Sequence, residues 1–433
     1  MKTMYSRLRG MADLVPAEIA PWQALERRVR EAAHAYGYGE LRTPLIESTA
    51  LFARAIGEST DVVEKEMYSF PDRKGESLSL RPENTAGCVR AAIENGLLQP
   101  GSVNRIFYIG PMFRYERPQL GRQRQFHQAG AEAYGLSGPA IEAELILMSA
   151  RLWEALGIRE AVQLELNTLG TPEDRARYRE KLVAHLESCR DALDEDSLRR
   201  LDRNPLRVLD SKNPDMADVI AAAPALRDSL SDEALRHFDT LREQLAANGV
   251  ESIENPRLVR GLDYYSHTVF EWTTDRLGSQ SAVCAGGRYD GLIEQMGKAG
   301  MPGVGWAMGL ERVVALMDVL DAAPSPAVPD VFVIGADEVP ASDMLALAES
   351  LRTALPGRAV VHNTAGGSWK SQFRKADKSG ARYAVVVGAD EHAAGTVTLK
   401  PLGGGEQETL TRDALKARLS ARLAAAFGET GDG

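Results

Sequence analysis

Residues 108–135, YIGPMFRYERPQLGRQRQFHQAGAEAYG, hold the side chains of this sequence that are best suited to binding phosphate. Four arginines stand against a single acid, Glu116, between residues 114 and 124. An arginine fork offers two parallel donors to two phosphate oxygens, and Pro118 and Gly121 are typical of a turn. We therefore expect an arginine-rich turn that binds phosphate groups, formed around Arg114, Arg117, Arg122 and Arg124.

The residues after this turn alternate in polarity, which is typical of a β-strand. With the apolar run 106–109, they predict a long antiparallel hairpin whose first strand bends at Gly110-Pro111, since proline does not continue a central strand. Gln128 and Glu132 share one face, where burial without partners would cost about 2–7 kcal/mol each. That leaves two interpretations, a solvated sheet face beside a basic loop or a site for a small polar molecule. This face carries Phe126, Gln128, Gly130, Glu132 and Tyr134, and the other carries His127, Ala129, Ala131 and Ala133.

Two strings in the sequence resemble signatures of one enzyme family. FRYERPQLGRQRQFHQAGAE, residues 113–132, resembles the second motif of class II aminoacyl-tRNA synthetases in the form found in histidyl-tRNA synthetases. RGLDYY, residues 260–265, resembles a signature of the same family. From its residues alone, RGLDYY could equally form a buried ion pair with aromatic packing. The resemblance implies a class II fold, an antiparallel sheet flanked by helices, and bacterial-type histidine–tRNA ligase activity.

Residues 78–90, LSLRPENTAGCVR, run from a predicted strand into a predicted helix. Thr85 or Asn84 is expected to cap that helix. The resemblance places Glu83 in a cleft as the partner of a substrate ammonium group. Asn84 stands where close relatives would carry glycine, and only its backbone is expected to matter.

Glycines dominate two further stretches. CAGGRYDG, residues 284–291, predicts a strand and turn that allow close backbone approach. GVGWAMGLER, residues 303–312, lacks the spacing of dinucleotide or P-loop sites. It resembles the third class II motif, in which Gly305 and Gly309 would keep the strand thin enough for a flat base and Arg312 would lie on the adenine and the γ-phosphate.

The resemblance implies a two-step reaction with ATP as a substrate that carries Mg²⁺. Histidine attacks the α-phosphate, and the terminal adenosine of tRNA(His) then attacks the adenylate. Cations must spread the charge when a carboxylate approaches a triphosphate. No dedicated metal site is expected. Arg114 and Arg260 would flank the α-phosphate as the catalytic cations, Arg122, Arg124 and Arg312 would hold the outer phosphates, Phe126 would stack on adenine, and Glu116 would lie near the adenine or the metal.

Specificity for histidine requires hydrogen bonds to both ring nitrogens, and such a site rejects analogues that lack them. The resemblance assigns the remaining contacts as follows. Glu132 and Tyr265 would bind the ring, and Tyr264 is a further candidate for binding histidine. Glu83, Thr85 and Gln128 would bind the amino end, and Arg117 and Gln119 at the hairpin tip would meet the tRNA acceptor end.

The chain of 433 residues has a formal net charge of −10, which disfavours a protein that coats nucleic acid through bulk charge. Its three cysteines, with no CxxC pair, predict neither a disulfide framework nor a zinc site. No uncharged apolar run approaches about 18 residues, so we expect no membrane span. Residues 1–13 carry charges where a signal peptide needs apolar residues, and we expect a cytoplasmic protein.

The pattern along the chain predicts a catalytic domain over residues 1–320, with a charged helical insertion at 171–245. A proline-rich linker at 321–329 precedes a C-terminal domain at 330–433. Residues 16–36 have helical spacing and lead into Arg42–Glu47, an arrangement that resembles the first class II motif and would imply a homodimer. Without the resemblance this helix is simply core.

The C-terminal region alternates strands and helices, which predicts an α/β layer and resembles the anticodon-binding domain of these synthetases. The predicted helix 369–378 would turn Trp369, Phe373 and Ala376 inward. Lys370, Arg374 and Lys378 would form a basic stripe on its other side, with Lys370 and Arg374 as candidate tRNA contacts. Such a stripe is also typical of an ordinary solvated face.

Two other functions fit parts of this pattern. The first is a non-catalytic regulatory subunit of ATP-phosphoribosyltransferase, which shares the catalytic fold but would be expected to lose some arginines and the C-terminal domain. The second is a class II synthetase for proline, threonine or glycine, which RGLDYY and the pair Gln128 and Glu132 argue against. Kinase motifs are absent from the sequence, which excludes a histidine-sensing domain within a larger kinase.

Overall fold

The structure is a computed structural model that describes residues 5–57, 60–203, 205–209, 211, 213–258, 262, 264–278, 282–298 and 300–428. Contacts divide the chain into two compact units, Met1–Ser325 and Pro326–Gly433. No helix in these described ranges is both long and apolar enough to cross a bilayer.

The first unit combines sheets and helices. Its strands are β1 (Gly39–Glu40), β2 (Ile46–Ser48), β3 (Tyr68–Pro71), β4 (Ser77–Leu80), β5 (Asn104–Phe113), β6 (Gln125–Tyr134), β7 (Gln163–Thr168), β8 (Ser252–Glu254), β9 (Ser266–Thr273), β10 (Ala282–Arg288) and β11 (Gly303–Gly309). Its helices are α1 (Ile19–Ala35), α2 (Thr49–Ile56), α3 (Thr85–Glu94), α4 (Pro139–Ala155), α5 (Pro172–Ser188), α6 (Glu195–Arg203), α7 (Ala217–Ala221), α8 (Asp232–Ala247), α9 (Asp290–Gln295) and α10 (Leu310–Val319).

Eight of the described strands form one sheet in the order β1-β5-β6-β11-β10-β9-β7-β8. Its interior pairs are antiparallel, and only the outermost pairs, β1 with β5 and β7 with β8, are parallel. Strands β2, β4 and β3 form a separate small sheet. The predicted fold class, an antiparallel sheet flanked by helices, is confirmed.

The predicted hairpin is confirmed as β5 and β6, paired from Asn104 with Tyr134 to Phe113 with Gln125. The pairing of β5 continues through Gly110-Pro111, with Pro111 opposite His127. Strand β1 pairs with β5 only at Ile106 and Phe107. Pro111 therefore lies on a free sheet edge, where a missing N–H group removes no ladder hydrogen bond.

The alternation along β6 separates two apolar layers. Ala129, Ala131 and Ala133 pack into a core with buried residues of α1, α4, α8 and α10. Tyr134, on the opposite face, belongs to a second core that includes Tyr108 of β5. One side of the sheet is thus an ordinary helix-covered core, and the polar residues of β6 lie on the other.

Helices occupy the segment predicted as a helical insertion, but they pack in two ways. Tyr178, Leu182 and Leu186 of α5 join the second core. Phe238 and Leu241 of α8 are buried in the first core, against the opposite side of the sheet. Helix α8 is therefore packed as part of the main core, although its charge density resembles that of the helices before it.

The second unit has a mixed sheet in the order β13-β12-β14-β15-β16, with β12 parallel to β13 and β14 and the other pairs antiparallel. The predicted α/β layer is confirmed. Short elements, α13 and β16, are additions to the predicted pattern. The elements are β12 (Val331–Gly335), α11 (Ala341–Ala354), β13 (Val360–His362), α12 (Trp369–Ser379), β14 (Tyr383–Val387), α13 (Ala389–Ala394), β15 (Thr396–Pro401), β16 (Glu408–Thr411) and α14 (Arg412–Gly428).

Candidate active site

Glu132 is the central acid of the polar face of β6. Its side chain is only 1% exposed, and in the register it lies between Ile106 of β5 and Gly305 of β11. A Cβ atom at Gly305 would lie 1.7 Å from Glu132 Oε2. The glycine is therefore required because the carboxylate occupies the space beside it, whereas the sequence had suggested room for a flat base.

Two hydroxyl groups hold the Glu132 carboxylate. Thr85 Oγ1 donates to Oε1 at 2.8 Å, and the Tyr289 hydroxyl donates to Oε2. Burial raises the pKa of Glu132 to about 8, the two hydrogen bonds lower it in part, and the nearby Glu83 carboxylate raises it further. A carboxyl group poised in this way can change protonation when a ligand with N–H donors enters.

Glu83 caps helix α3. Its carboxylate accepts hydrogen bonds from the main-chain N–H groups of Thr85 at 2.6 Å and Ala86 at 3.0 Å, so the prediction that Thr85 or Asn84 provides the side-chain cap is wrong. Burial raises the pKa of Glu83, although these two hydrogen bonds and the charge of Arg114 oppose the shift. An ammonium group bound here would be a third partner for this carboxylate.

The Asn84 side chain is also structural, contrary to the expectation that only its backbone matters. It is 1% exposed, and its Oδ1 accepts hydrogen bonds from Thr43 at 2.5 Å and Arg81 at 3.2 Å. Its Nδ2 donates to Cys88 Sγ at 3.3 Å. A side-chain network therefore fixes the turn that carries Glu83 and Thr85.

Tyrosine rings surround the Glu132 carboxylate. Tyr264 and Tyr265 are buried, with ring centroids 4.6 Å apart, and the Tyr289 ring lies 5.6 Å from that of Tyr264. The Tyr108 ring fills the space over Gly130, where a Cβ would lie 2.5 Å from its hydroxyl. Within the described residues, the buried Tyr108 hydroxyl and Gln128 Oε1 have no hydrogen-bond partner. Buried polar atoms of this kind are typical of a site that binds a polar ligand.

Arg260, the predicted catalytic cation of RGLDYY, lies outside the described residues, as do Gly261 and Asp263. Of this string, the structure describes Leu262, Tyr264 and Tyr265.

Three charged side chains meet at the arginine-rich turn (residues 114–124). Glu116 pairs with Arg122 at 3.0 Å and lies 3.7 Å from Arg114. Arg114 Nε donates to the Pro82 carbonyl at 2.8 Å, and its guanidinium carbon lies 5.3 Å from the centroid of the Phe126 ring. One carboxylate therefore orients two guanidinium groups beside an aromatic ring.

The other residues of the arginine-rich turn that were predicted to bind ATP or tRNA are Arg124, Arg117 and Gln119. The Arg124 guanidinium stacks on the Tyr115 ring at 3.8 Å, and Nε donates to the Glu116 carbonyl at 3.2 Å. Its side chain thus supports the turn. Arg117 and Gln119 are exposed at the tip, where a large partner can reach them.

Arg312, on the first turn of α10, joins the arginine-rich turn from the β11 side. A Cβ at Gly121 would lie 3.0 Å from Arg312 Cγ. Burial lowers the pKa of Arg312, the charge of Arg122 lowers it further, and Glu271 opposes the shift. The predicted third motif is therefore in contact with the second, and Arg122 and Arg312 lie close enough to repel each other.

In the second unit, Lys370 and Arg374 are exposed on α12, as predicted. The inward residues of this helix are Gln372 and Ala376, and the prediction that Trp369 faces inward is wrong, because it is 39% exposed. Gln372 Nε2 donates to the carbonyls of Gly335 at 2.8 Å and Gly367 at 2.6 Å. These bonds satisfy a buried amide, which explains why a polar residue can face the core.

Sequence reasoning missed Tyr289, which lies in the CAGGRYDG stretch, and Tyr108 in β5. Gly130 and Gly303 were the available signals, because each of these strand glycines leaves room for one of these rings. In the described part of the chain no group of three or more His, Cys, Asp or Glu side chains is arranged to hold a metal ion.

The chain is similar to proteins of one known family. Residues 10–313 match the family described as Histidyl-tRNA synthetase, and residues 330–422 match the Anticodon binding domain. The apo histidyl-tRNA synthetase of S. aureus is 31% identical with a TM-score of 0.81, covering 96% of this chain and 100% of that chain.

Two more distant structures share the fold. The histidyl-tRNA synthetase of Nostoc sp. PCC 7120 is 22% identical with a TM-score of 0.70, covering 97% of this chain and 100% of that chain. A Bacillus halodurans protein described as an ATP phosphoribosyltransferase regulatory subunit/histidyl-tRNA synthetase is 20% identical with a TM-score of 0.62, covering 89% and 98%. At these identities the likeness concerns the fold alone.

Proposed function

The chain belongs to the histidyl-tRNA synthetase family, and from that premise we propose that it is a histidine–tRNA ligase. The histidine carboxylate attacks the α-phosphate of MgATP, which forms histidyl-adenylate and releases pyrophosphate. The terminal adenosine hydroxyl of tRNA(His) then attacks the carbonyl carbon, which forms the ester and releases AMP. A carboxylate is already ionised at pH 7, so the first step needs no separate general base.

The observation that carries this proposal is the Glu132 carboxyl group with its two hydroxyl donors. A buried acid that accepts hydrogen bonds can bind the N–H group of an imidazole ring, and Tyr264 and Tyr265 supply flat apolar walls. Burial makes such a hydrogen bond strongly selective, because an analogue without the N–H group leaves one accepting position of the acid, beyond those used by Thr85 and Tyr289, without a donor. Gln128 on β6, together with Thr85 and Glu83 at the start of α3, would bind the amino end.

The arginine-rich turn supports the activation step. Arg114 and Arg122 would hold the triphosphate, with Arg312 from the other side, and Phe126 would stack on the adenine. When phosphates enter, their oxygens replace Glu116 as partners of these guanidinium groups. Donors held in place before the reaction stabilise the charge that develops on the phosphates, while Mg²⁺, carried by ATP, neutralises part of it.

Two further parts of the proposal concern partners and location. Lys370 and Arg374 would contact tRNA phosphates, and Arg117 and Gln119 would meet the acceptor end. Leu45 and Ile46, 41% and 45% exposed, are apolar residues that a second copy of the chain would cover in a homodimer. We expect the reaction to take place in the cytoplasm, where tRNA and ATP are available.

The alternative function is a histidine-binding regulatory subunit of ATP-phosphoribosyltransferase. The fold does not separate the two functions, since the B. halodurans protein carries both descriptions. The arginine set favours the ligase, because a subunit that only senses histidine has no use for Arg114 and Arg122 around Glu116 with Arg312 beside them.

Histidine-dependent exchange of pyrophosphate into ATP tests the proposal directly. We expect exchange with histidine alone among the amino acids, and its loss in the Arg114→Ala and Arg260→Ala proteins. A protein that binds histidine in calorimetry but catalyses no exchange would instead be a regulatory subunit. Aminoacylation of tRNA(His) by the same preparation tests the second step.

A further inference from the structure

The N-terminal turn (residues 8–11) packs against the arginine-rich turn. The Leu8 carbonyl accepts a hydrogen bond from the Met11 N–H group at 3.1 Å, which closes the four residues into a turn. Gly10, its third residue, has φ +84°, the value that a type II turn requires at that position and that glycine adopts without strain. The conformation of Gly10 therefore fixes the direction of its carbonyl group.

That carbonyl group is bonded to the junction between the arginine-rich turn and β6. Gly10 O accepts hydrogen bonds from the main-chain N–H groups of Arg124 at 2.6 Å and Gln125 at 3.3 Å. The Arg124 carbonyl in turn accepts from the Arg114 N–H group at 2.9 Å, which is the last main-chain bond of the hairpin before the turn. Gly10 thus continues the main-chain hydrogen bonding of the hairpin beyond the last bond between its two strands.

The side chains leave no room for a larger residue at this position. A Cβ atom at Gly10 would lie 2.8 Å from Arg124 Cγ and 2.9 Å from Pro118 Cγ. Both atoms belong to the body of the arginine-rich turn rather than to flexible side-chain ends. Since the Arg124 guanidinium already stacks on Tyr115, the stem cannot move without displacing the turn.

We propose that Gly10 is a positioning residue for MgATP, which holds the arginine-rich turn so that Arg114 and Arg122 face the phosphates. This inference rests on the proposed function, since it concerns the same nucleotide site. Gly10 would act through the main chain of Arg124 and not by direct contact with the nucleotide or histidine. The histidine end of β6, at Glu132, lies eight residues beyond the Gly10 contact and is held separately by Thr85 and Tyr289.

Two variants disturb the N-terminal turn in different ways. Gly10→Ala introduces the two close contacts and disfavours the positive φ. Met11→Pro removes the N–H group that closes the turn and adds no atom next to Arg124. The matched control is Gly37→Ala, because Gly37 also has a positive φ, +76°, but a Cβ there meets no atom within 4 Å.

The measurements are the KM for ATP and the KM for histidine in pyrophosphate exchange, and the direct titration of each full-length protein with MgATP and with histidine in a calorimeter. We expect kcat/KM for ATP to fall by about tenfold to a hundredfold in both variants, as a misplacement of about 1 Å does. The KM for histidine should stay within about twofold, the range of substitutions that leave a site intact. Gly37→Ala should leave the KM and the binding of both substrates unchanged.

The proposal is overturned if folded Gly10→Ala and Met11→Pro proteins keep the wild-type KM and Kd for ATP. It is also overturned if the binding of ATP and the binding of histidine weaken to the same extent. Failure of the proposed function gives a different result. A wild-type protein that catalyses no exchange but binds MgATP refutes the ligase, while the titrations of the variants still decide the role of Gly10. A wild-type protein that does not bind MgATP refutes both.

Discussion

The hydroxyl group of Thr85 donates a hydrogen bond of 2.8 Å to the buried carboxylate of Glu132. Thr85 is the first residue of α3, and Glu132 lies inside β6. Their contact joins the element proposed to bind the amino end of histidine to the strand proposed to bind its ring. A substrate ammonium group would donate to the Thr85 hydroxyl oxygen while that hydroxyl donates to Glu132, so the two ends of the site are coupled through a single hydroxyl group.

Gly305→Ala and Gly309→Ala should each weaken the binding of a different substrate. A Cβ at Gly305 would overlap the Glu132 carboxylate, whereas a Cβ at Gly309, on the same strand and face, would meet only Arg312 Cγ and Cδ at 3.9 Å. We expect Gly305→Ala to weaken histidine binding by about tenfold or more, since the acid must move. Gly309→Ala should weaken the binding of ATP only, because its methyl group enters the space proposed for the adenine. Calorimetric titration with each substrate checks this, and equal effects of both variants on histidine would refute it.

The protonation of Glu132 should make stability depend on pH. Its pKa is about 8 in the folded protein against an ordinary value of 4.5, so the folded state keeps a proton that the unfolded state has lost. The free energy of unfolding should therefore fall as pH rises from 4.5 to 8, by on the order of 4 kcal/mol from this group.

Glu132→Gln removes that titration. Urea unfolding of both proteins at pH 5 and pH 8 measures the effect. The free energy of unfolding should fall less between these pH values in the variant than in the wild type. Glu83, which also has a raised pKa, should cause part of the fall in both proteins. Identical pH slopes would mean that Glu132 is ionised across this range.

The ion pair of Glu142 and Arg288 should be a major contributor to stability. Both side chains are at most 2% exposed, and His237 Nε2 also lies 2.9 Å from Glu142. Burial opposes ionisation of Glu142, but the hydrogen bond from His237 and the Arg288 charge outweigh it and lower its pKa to about 2. Its contribution is present above pH 4.5 and is lost as pH falls toward 2.

Glu142→Gln removes one of the two carboxylates that face the buried Arg288 and leaves Asp290, 3.2 Å away, as the other. The loss should cost about 3–5 kcal/mol at pH 7. The control on the same helix is Glu144→Gln, whose partner Arg105 is 31% exposed, and it should cost less than about 1 kcal/mol. Urea unfolding at pH 7 measures both. Equal costs would show that burial of the Glu142 pair is irrelevant to its strength.

Lys370→Ala and Arg374→Ala should weaken the binding of tRNA without changing the activation of histidine. Both side chains are exposed on α12, and removing one cation that pairs with a tRNA phosphate should reduce the salt dependence of binding by about one counterion. Lys375→Ala is the control, because Lys375 Nζ on the same helix donates to Asn363 Oδ1 at 3.1 Å. Aminoacylation as a function of tRNA and salt concentration gives the result, and a change in pyrophosphate exchange would argue against a purely tRNA-contacting role.

The sequence by itself determined the elements that follow from periodicity. The alternation from Phe126 to Tyr134 predicted β6 and both of its faces, and proline and glycine located the arginine-rich turn, because these patterns depend on backbone geometry that is local in the chain. The family resemblance also predicted that Glu83, Thr85 and Glu132 share a site, and the structure brings the Thr85 hydroxyl into contact with Glu132.

Only the tertiary structure decided which groups meet. Tyr289 is 157 residues from the Glu132 carboxylate that it contacts, and Pro111 is tolerated in β5 because the neighbouring strand stops short of it. Glu83 rather than Thr85 caps α3, and α8 is buried although its charge pattern resembles that of exposed helices. Each of these outcomes depends on strand order and on contacts between distant segments, and a hydrophobic or polar pattern along one segment does not contain that information.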